Sequence, residues 1–203
     1  AGLIPRIKIS PLPDKKTPRI AVFACGEHPL LSLASATARL LEPKGHASDA
    51  IHRCETRLKQ PNAQGTWDGL TDLVGQSPEL RDQAVILVVD QGEEIYSLCN
   101  DDVERTAFLQ NLMHAVSAEF PTVSVVLTLR SDFLEQTQTV PAFNNAIVNR
   151  NVLVPVMTRT NLRDAIEQPA KLSGYRFAPE LVERLISETD GNMGALPLLE
   201  FTL

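Results

Sequence analysis

The sequence predicts an α/β fold, a parallel sheet followed by the start of a helical subdomain. Two observations carry the prediction. Val85-Ile86-Leu87-Val88-Val89 and Val123-Ser124-Val125-Val126-Leu127-Thr128-Leu129 are short, nearly continuous apolar runs. That is the pattern of strands covered on both faces in a parallel sheet. Helical periodicity separates the strand candidates, and from Thr158 onward only helical periodicity remains. The expected division is an α/β core over residues 1–157 and the start of a helical lid over 158–203.

Taken in order, residues 5–19 hold Pro5, Pro11, Pro13 and Pro18 with a basic cluster, which reads as a connector. Arg19–Ala24 reads as a strand ending at Cys25-Gly26. Pro29 can take the first helical position. Leu30, Leu31, Leu33, Ala34, Ala38 and Leu41 then give a helix with a broad apolar face that stops before Pro43. Residues 43–66 show little periodicity and are expected to form a variable, partly helical insertion. Trp67–Val74 predicts a short helix, and the strand ending at Asp90 follows. Asp101 and Asp102 suit the start of a helix that carries Val103, Ala107, Phe108, Leu112, Ala115 and Val116 on one face and ends at Pro121. The run from Val123 is the next strand. Val152–Val156 predicts a weaker one, demoted by Pro155. Leu162, Ala165 and Ile166 then repeat on a helix face up to Pro169 and Gly174. Pro179 opens another helix, with Leu181, Val182, Leu185 and Ile186 inward, broken by Asp190-Gly191-Asn192.

With 203 residues, 43% hydrophobic and 22% charged, the chain is long and apolar enough for a real core. Aromatics make up only 5%, so that core is mainly aliphatic. The net charge of −6 argues against a general nucleic-acid binder. Arg6, Lys8, Lys15, Lys16 and Arg19 face only Asp14, so the acidic excess lies in the rest of the chain. Cys25, Cys54 and Cys99 form no CxxC pair and indicate neither a disulfide frame nor a zinc ribbon, which fits a reducing cytoplasm. No apolar run approaches the roughly 18 residues of a membrane span.

Asp90 closes the first buried run. In open parallel sheets, ligands bind beyond the carboxyl ends of the strands. A carboxylate there, followed closely by Glu93 and Glu94, suits a hard cation such as Mg²⁺ and a group that orients or deprotonates water. An ordinary core strand with a solvated acidic turn fits the same residues. Right-handed crossovers place Cys25, Asp90 and Arg130 along one sheet edge. In a nucleotide site Asp90 would hold Mg²⁺ and Arg130 would meet the γ-phosphate as a sensor. The alternative for Arg130 is a structural pair with Asp132 or Asp90. A metal-dependent hydrolase built on Asp90, Glu93 and Glu94 would need a further ligand that the sequence does not point to. His46, Asp49, His52 and Cys54 match no standard zinc spacing, and no G-x-S-x-G elbow occurs.

Four stretches occur in a telling order: LVVDQGEEIYSLC (Leu87–Cys99), VVLTLRSDFL (Val125–Leu134), LRDAIEQPAKLSGYRFAPELVERLI (Leu162–Ile186) and GALPLLEF (Gly194–Phe201). Together they resemble the STAND-class P-loop NTPases, in particular the bacterial "novel STAND" branch often fused to WD-type repeats. ACGEHPLLSLA (Ala24–Ala34) is similar to the segment after that branch's second strand. The resemblance covers nearly the whole chain. It implies a P-loop NTPase-type sheet, with Asp90 as the Walker B acid on Mg²⁺. It implies that Glu93 or Glu94 positions water and that Arg130 is the sensor arginine. Leu196-Pro197 resembles the element whose proline packs on adenine, although a first-turn helix proline explains Pro197 equally well by itself. Gly92 departs from the branch, which usually has an aromatic there, and a looser turn is expected.

No G-x-x-x-x-G-K-[ST] occurs in the 203 residues. The resemblance implies that this loop and the first strand precede a segment like AGLIPRI. The expectation is a chain starting just after its own phosphate loop, which alone neither binds ATP tightly nor hydrolyses it, within a parent that does both. The implied function is a cytoplasmic signalling switch, in which ATP binding and hydrolysis gate a conformational change of a larger protein. Implied partners are ATP, effector and repeat or sensor domains of the same chain, and further copies on activation. The competing expectation is a non-hydrolysing scaffold or oligomerisation module that keeps the fold.

Overall fold

Among the described residues three strands run parallel in the order β1-β2-β3: β1 (Arg19–Ala24), β2 (Val85–Asp90) and β3 (Val123–Leu127). The computed structural model describes residues 4–5, 18–42, 47–80, 83–118 and 123–189. Val85 to Val89 are all buried because β2 is the central strand, and only Asp90 emerges at its end. The register sets Ala24 beside Asp90 and Val89 beside Leu127, so the carboxyl ends of all three strands share one edge.

Helices cover this sheet. In α1 (Pro29–Leu41), Pro29 takes the first position and Leu30, Leu33, Ala34, Ala38 and Leu40 are buried. The small alanines let α1 lie close to β1 and to the next helix, α2 (Ala47–Leu58). Within residues 43–66, expected to be a partly helical insertion, α2 is the helical part. Ala50, Cys54 and Leu58 recur every four residues on one buried stripe of α2. The signal was present, but two of its three residues are small. A short helix, α3 (Gly69–Gly75), follows. Then come α4 (Glu94–Ser97) and α5 (Asp102–Ser117). The Asp101 carboxylate caps α5 by accepting from the amides of Val103 and Glu104, at 2.8 and 3.1 Å. Asp102 instead pairs with Arg105. Phe108 meets Phe23 of β1 edge to face, with ring centroids 6.5 Å apart.

Several expectations needed correction. After β3 the chain forms two 3₁₀ turns, Ser131–Phe133 and Glu135–Thr139, then α6 (Pro141–Arg150). The sequence reading assigned no element there, although Pro141 at the first helical position with Phe143 and Ile147 four apart was a usable signal. Val152–Val156 is not a strand. It pairs with none of the described strands, and Val152, Leu153, Val154 and Val156 are 70–90% exposed. A strand needs a neighbour for its backbone groups, and apolar composition does not supply one.

The chain divides into two units, Ala1–Asn151 and Val152–Leu203. In the second, α7 (Arg159–Leu172) and α8 (Pro179–Thr189) bury Leu162, Ile166, Val182 and Ile186 against one another. A capping box between Thr158 and Asn161 starts α7, which takes Pro169 into its last turn and ends before Gly174. Leu181, expected inward, is 43% exposed. Among the described residues no helix is long and apolar enough to cross a membrane.

Candidate functional site

The site forms where β2 and β3 end. Past Val89 the backbone stays tied to the neighbouring strand. The Thr128 amide donates to the Val89 carbonyl at 3.0 Å, and the Gly92 amide donates to the Thr128 carbonyl at 2.8 Å. Between them Gln91 adopts φ +54°, which turns the chain sharply after Asp90. A Cβ on Gly92 would lie 2.7 Å from the Thr128 carbonyl oxygen and 2.9 Å from Leu127 side-chain atoms. The turn is therefore tight where a looser one was expected, and glycine is there because backbone meets backbone.

This turn fixes the acid. Asp90 Oδ1 accepts from the Thr128 hydroxyl at 2.7 Å and from the Gln91 amide at 3.1 Å. The Gln91 amide also donates to the Thr128 hydroxyl oxygen, at 2.9 Å. One carboxylate oxygen is thus held, while Asp90 Oδ2 has no hydrogen-bond partner among the described residues and the residue is exposed. Thr128 was read only as part of a strand. Its place one residue past β3, next to the end of β2, could be recognised only once the register was known.

Glu93 and Glu94 sit at the start of α4, and they behave differently. Glu94 Oε2 accepts from the Gly26 amide, in the loop after β1, at 2.7 Å. The same loop is braced by the Ser32 hydroxyl, which donates to the Cys25 carbonyl at 2.9 Å. Burial pushes the Cys25 thiol up to about 12, with help from the charges of Glu94 and Glu93, so it is an uncharged core group. The Glu93 carboxylate accepts no hydrogen bond from any described residue.

Arg130 leaves the end of β3 and pairs with Asp132, Nε to Oδ1 at 3.1 Å and Nη2 to Oδ2 at 2.8 Å. This is the structural pairing that the sequence left open. The hydrogen bond to Asp132 raises Arg130 above the usual guanidinium value and lowers Asp132 below the carboxylate range. Arg130 remains 66% exposed, and Glu93 is the second acid whose charge acts on it. Its guanidinium lies 5.9 Å from the Phe133 ring, which stacks on Tyr96. Arg105 secures α4 from the other side by donating to the carbonyls of Ile95 and Cys99, each at 2.7 Å. No motif in the sequence marked Arg105 for this part.

The sheet edge thus gathers Asp90, Glu93, Glu94 and Arg130. Leu196 and Pro197 lie outside the described residues. No cluster of three or more His, Cys, Asp or Glu poised for a metal occurs among the described residues. Mg²⁺ is commonly held by one or two carboxylates together with phosphate and water, and Asp90, exposed at the end of β2, is a carboxylate that could serve in that way. His28, for which the sequence named no partner, has Nδ1 3.6 Å from Glu104 Oε2. His114 Nδ1 lies 3.0 Å from the Thr71 hydroxyl.

No curated protein and no solved structure matches the chain. The family described as Novel STAND NTPase 1 matches residues 1–203, the whole length of the sequence. With a parallel sheet that ends in an acid on its central strand and an arginine beyond the next, the chain belongs to the novel STAND NTPase 1 family.

Proposed function

We propose that this chain is the core of an ATP-responsive, cytoplasmic signalling switch, and that the sheet edge at Asp90 is its nucleotide and Mg²⁺ site. One observation carries the reading. Asp90 ends the central strand, exposed, with one oxygen fixed by Thr128 and the other free. Mg²⁺-ATP, when bound, supplies the electrophilic terminal phosphate and the cation that neutralises it. Asp90 would be the metal carboxylate, and Glu93 or Glu94 would orient the attacking water. Arg130, already at the same edge, would exchange Asp132 for a phosphate oxygen. That exchange is easy because the ion pair is exposed and screened by solvent.

The domain limits of 1–157 and 158–203 remain part of this reading, with the second part as the lid and Leu196 and Pro197 as the adenine contact. The effector and sensor partners, and assembly on activation, are proposed on family grounds. No phosphate loop lies within these residues, so tight ATP binding is expected only when a G-x-x-x-x-G-K-[ST] segment is supplied. A scaffold that does not hydrolyse ATP is the second reading, and the engagement of Arg130 by Asp132 favours it.

The test is Mg²⁺-dependent ATP binding and turnover by the full-length protein and by this chain, each with and without Asp90→Ala. Turnover confined to the full-length form and abolished by Asp90→Ala supports the switch. Failure of the full-length form to bind nucleotide leaves the scaffold.

A further inference from the structure

We infer that the two adjacent glutamates divide the work. Glu94 is a positioning residue that ties the loop after β1 to the site, and Glu93 is the acid that meets the attacking water. The inference rests on the nucleotide-site reading above and goes beyond it by separating two residues that the sequence leaves interchangeable.

The argument starts from helix geometry. Neighbouring residues on an α-helix point about 100° apart, so Glu93 and Glu94 cannot serve the same spot. The Glu94 carboxylate turns toward β1 and takes the Gly26 amide at 2.7 Å. Gly26 has φ +64°, a left-handed conformation that glycine adopts without the usual steric cost. The contact spans 68 positions in sequence and holds the loop Cys25–His28, whose Cys25 carbonyl also accepts from the Ser32 hydroxyl. A second carboxylate fastens the start of α1 just past this loop, since Glu104 Oε1 accepts from the Leu30 amide at 3.2 Å. Acids from two other elements, Glu94 of α4 and Glu104 of α5, thus hold this stretch.

Glu93 makes no comparable hydrogen bond among the described residues, and its charge reaches Arg130 as well as Cys25. Its carboxylate has no hydrogen-bond donor among the described residues, and it is close enough to Arg130 for its charge to act there. A phosphate that met Arg130 would therefore find Glu93 within its surroundings. A carboxylate free of protein donors keeps both oxygens for water, which a general base or water-orienting group requires. Glu94, bound to a backbone amide, would have to give up that loop in order to do the same.

Two measurements decide the matter. The first is turnover of Mg²⁺-ATP by the full-length protein carrying Glu93→Gln, Glu94→Gln or Glu94→Ala. Glu93→Gln is expected to lower kcat by about 100-fold or more. Glu94→Gln keeps an acceptor oxygen for the Gly26 amide and is expected to lose clearly less kcat than Glu93→Gln, about tenfold at most. Glu94→Ala loses the acceptor and is expected to fall by about 10–100-fold. The second is amide hydrogen exchange at Gly26 by NMR in this chain, with no nucleotide present. Exchange is expected to quicken at least tenfold in Glu94→Ala and to stay unchanged in Glu93→Gln and Glu94→Gln. Equal loss of kcat in Glu94→Gln and Glu93→Gln overturns the division, and so does unchanged Gly26 exchange in Glu94→Ala. If the full-length parent turns over no ATP, the nucleotide-site reading falls and Glu93 loses its assigned part. The Gly26 exchange still decides separately whether Glu94 clamps the loop.

Discussion

The Thr128 hydroxyl donates to Asp90 Oδ1 at 2.7 Å, across 38 positions of sequence, and so joins the end of β2 to the end of β3. Both residues are exposed, so the bond does little for the core. Its effect is to hold a carboxylate in one orientation at the edge where ligands bind in parallel sheets. Groups that orient a metal ligand commonly matter about 10–100-fold in affinity or activity. Thr128→Val keeps the shape and removes the donor. It is expected to weaken Mg²⁺-dependent ATP turnover by the full-length protein about tenfold, with Thr128→Ser close to the parent. Circular dichroism of both variants should be unchanged.

Asn111 concerns stability alone. It is fully buried on α5. Its Oδ1 accepts from the Leu70 amide at 3.1 Å, and its Nδ2 donates to the carbonyls of Leu58 and Ala107 at 3.1 and 2.9 Å. One side chain therefore satisfies backbone groups on α2 and α3 as well as on its own helix. Asn111→Leu would strand the Leu70 amide and the Leu58 carbonyl. A loss of about 2–4 kcal/mol is expected, read from the urea midpoint at unchanged slope.

The helical pair of the second unit offers an internal control. Ile186 is fully buried between α7 and α8, whereas Leu181 on the same helix is 43% exposed. Ile186→Ala is expected to destabilise this unit by about 2–4 kcal/mol. Leu181→Lys is expected to change it by less than about 0.5 kcal/mol. Amide exchange along α7 and α8 reads both.

Acid sensitivity should arise partly at Asp68. Burial pushes its carboxyl upward, but hydrogen bonds from Arg57 and Asn62 outweigh this and hold it below the ordinary value. A carboxylate lowered in the folded state contributes stability above its unfolded value, near about 4. That contribution is lost as pH falls through the folded value. Asp68→Asn should therefore be less stable than the parent at neutral pH, with the gap closing as pH falls below about 4. Urea midpoints across that range measure it.

Much of the fold was legible because it is written in local pattern. Arg19–Ala24 and the strand ending at Asp90 have the limits expected of them. The α1 and α5 helices follow from Pro29, the Asp101 cap and an apolar face. What was less legible has separate causes. Val152–Val156 has strand composition but pairs with none of the described strands. In α2 the buried stripe uses Ala50 and Cys54, which carry little hydrophobic signal.

The sequence by itself determined the α/β class, the acid at the end of the central strand and the family to which the chain belongs. Each follows from residues adjacent in the chain or from motifs in fixed order. Only the tertiary structure decided which groups those residues touch. It set Thr128 on Asp90, closed the turn at Gly92 against the backbone just past β3, and sent Glu94 to Gly26. The physical reason is distance along the chain. Apolar periodicity is a property of one segment, whereas a hydrogen bond between residues 38 or 68 positions apart exists only after the strands have found their register.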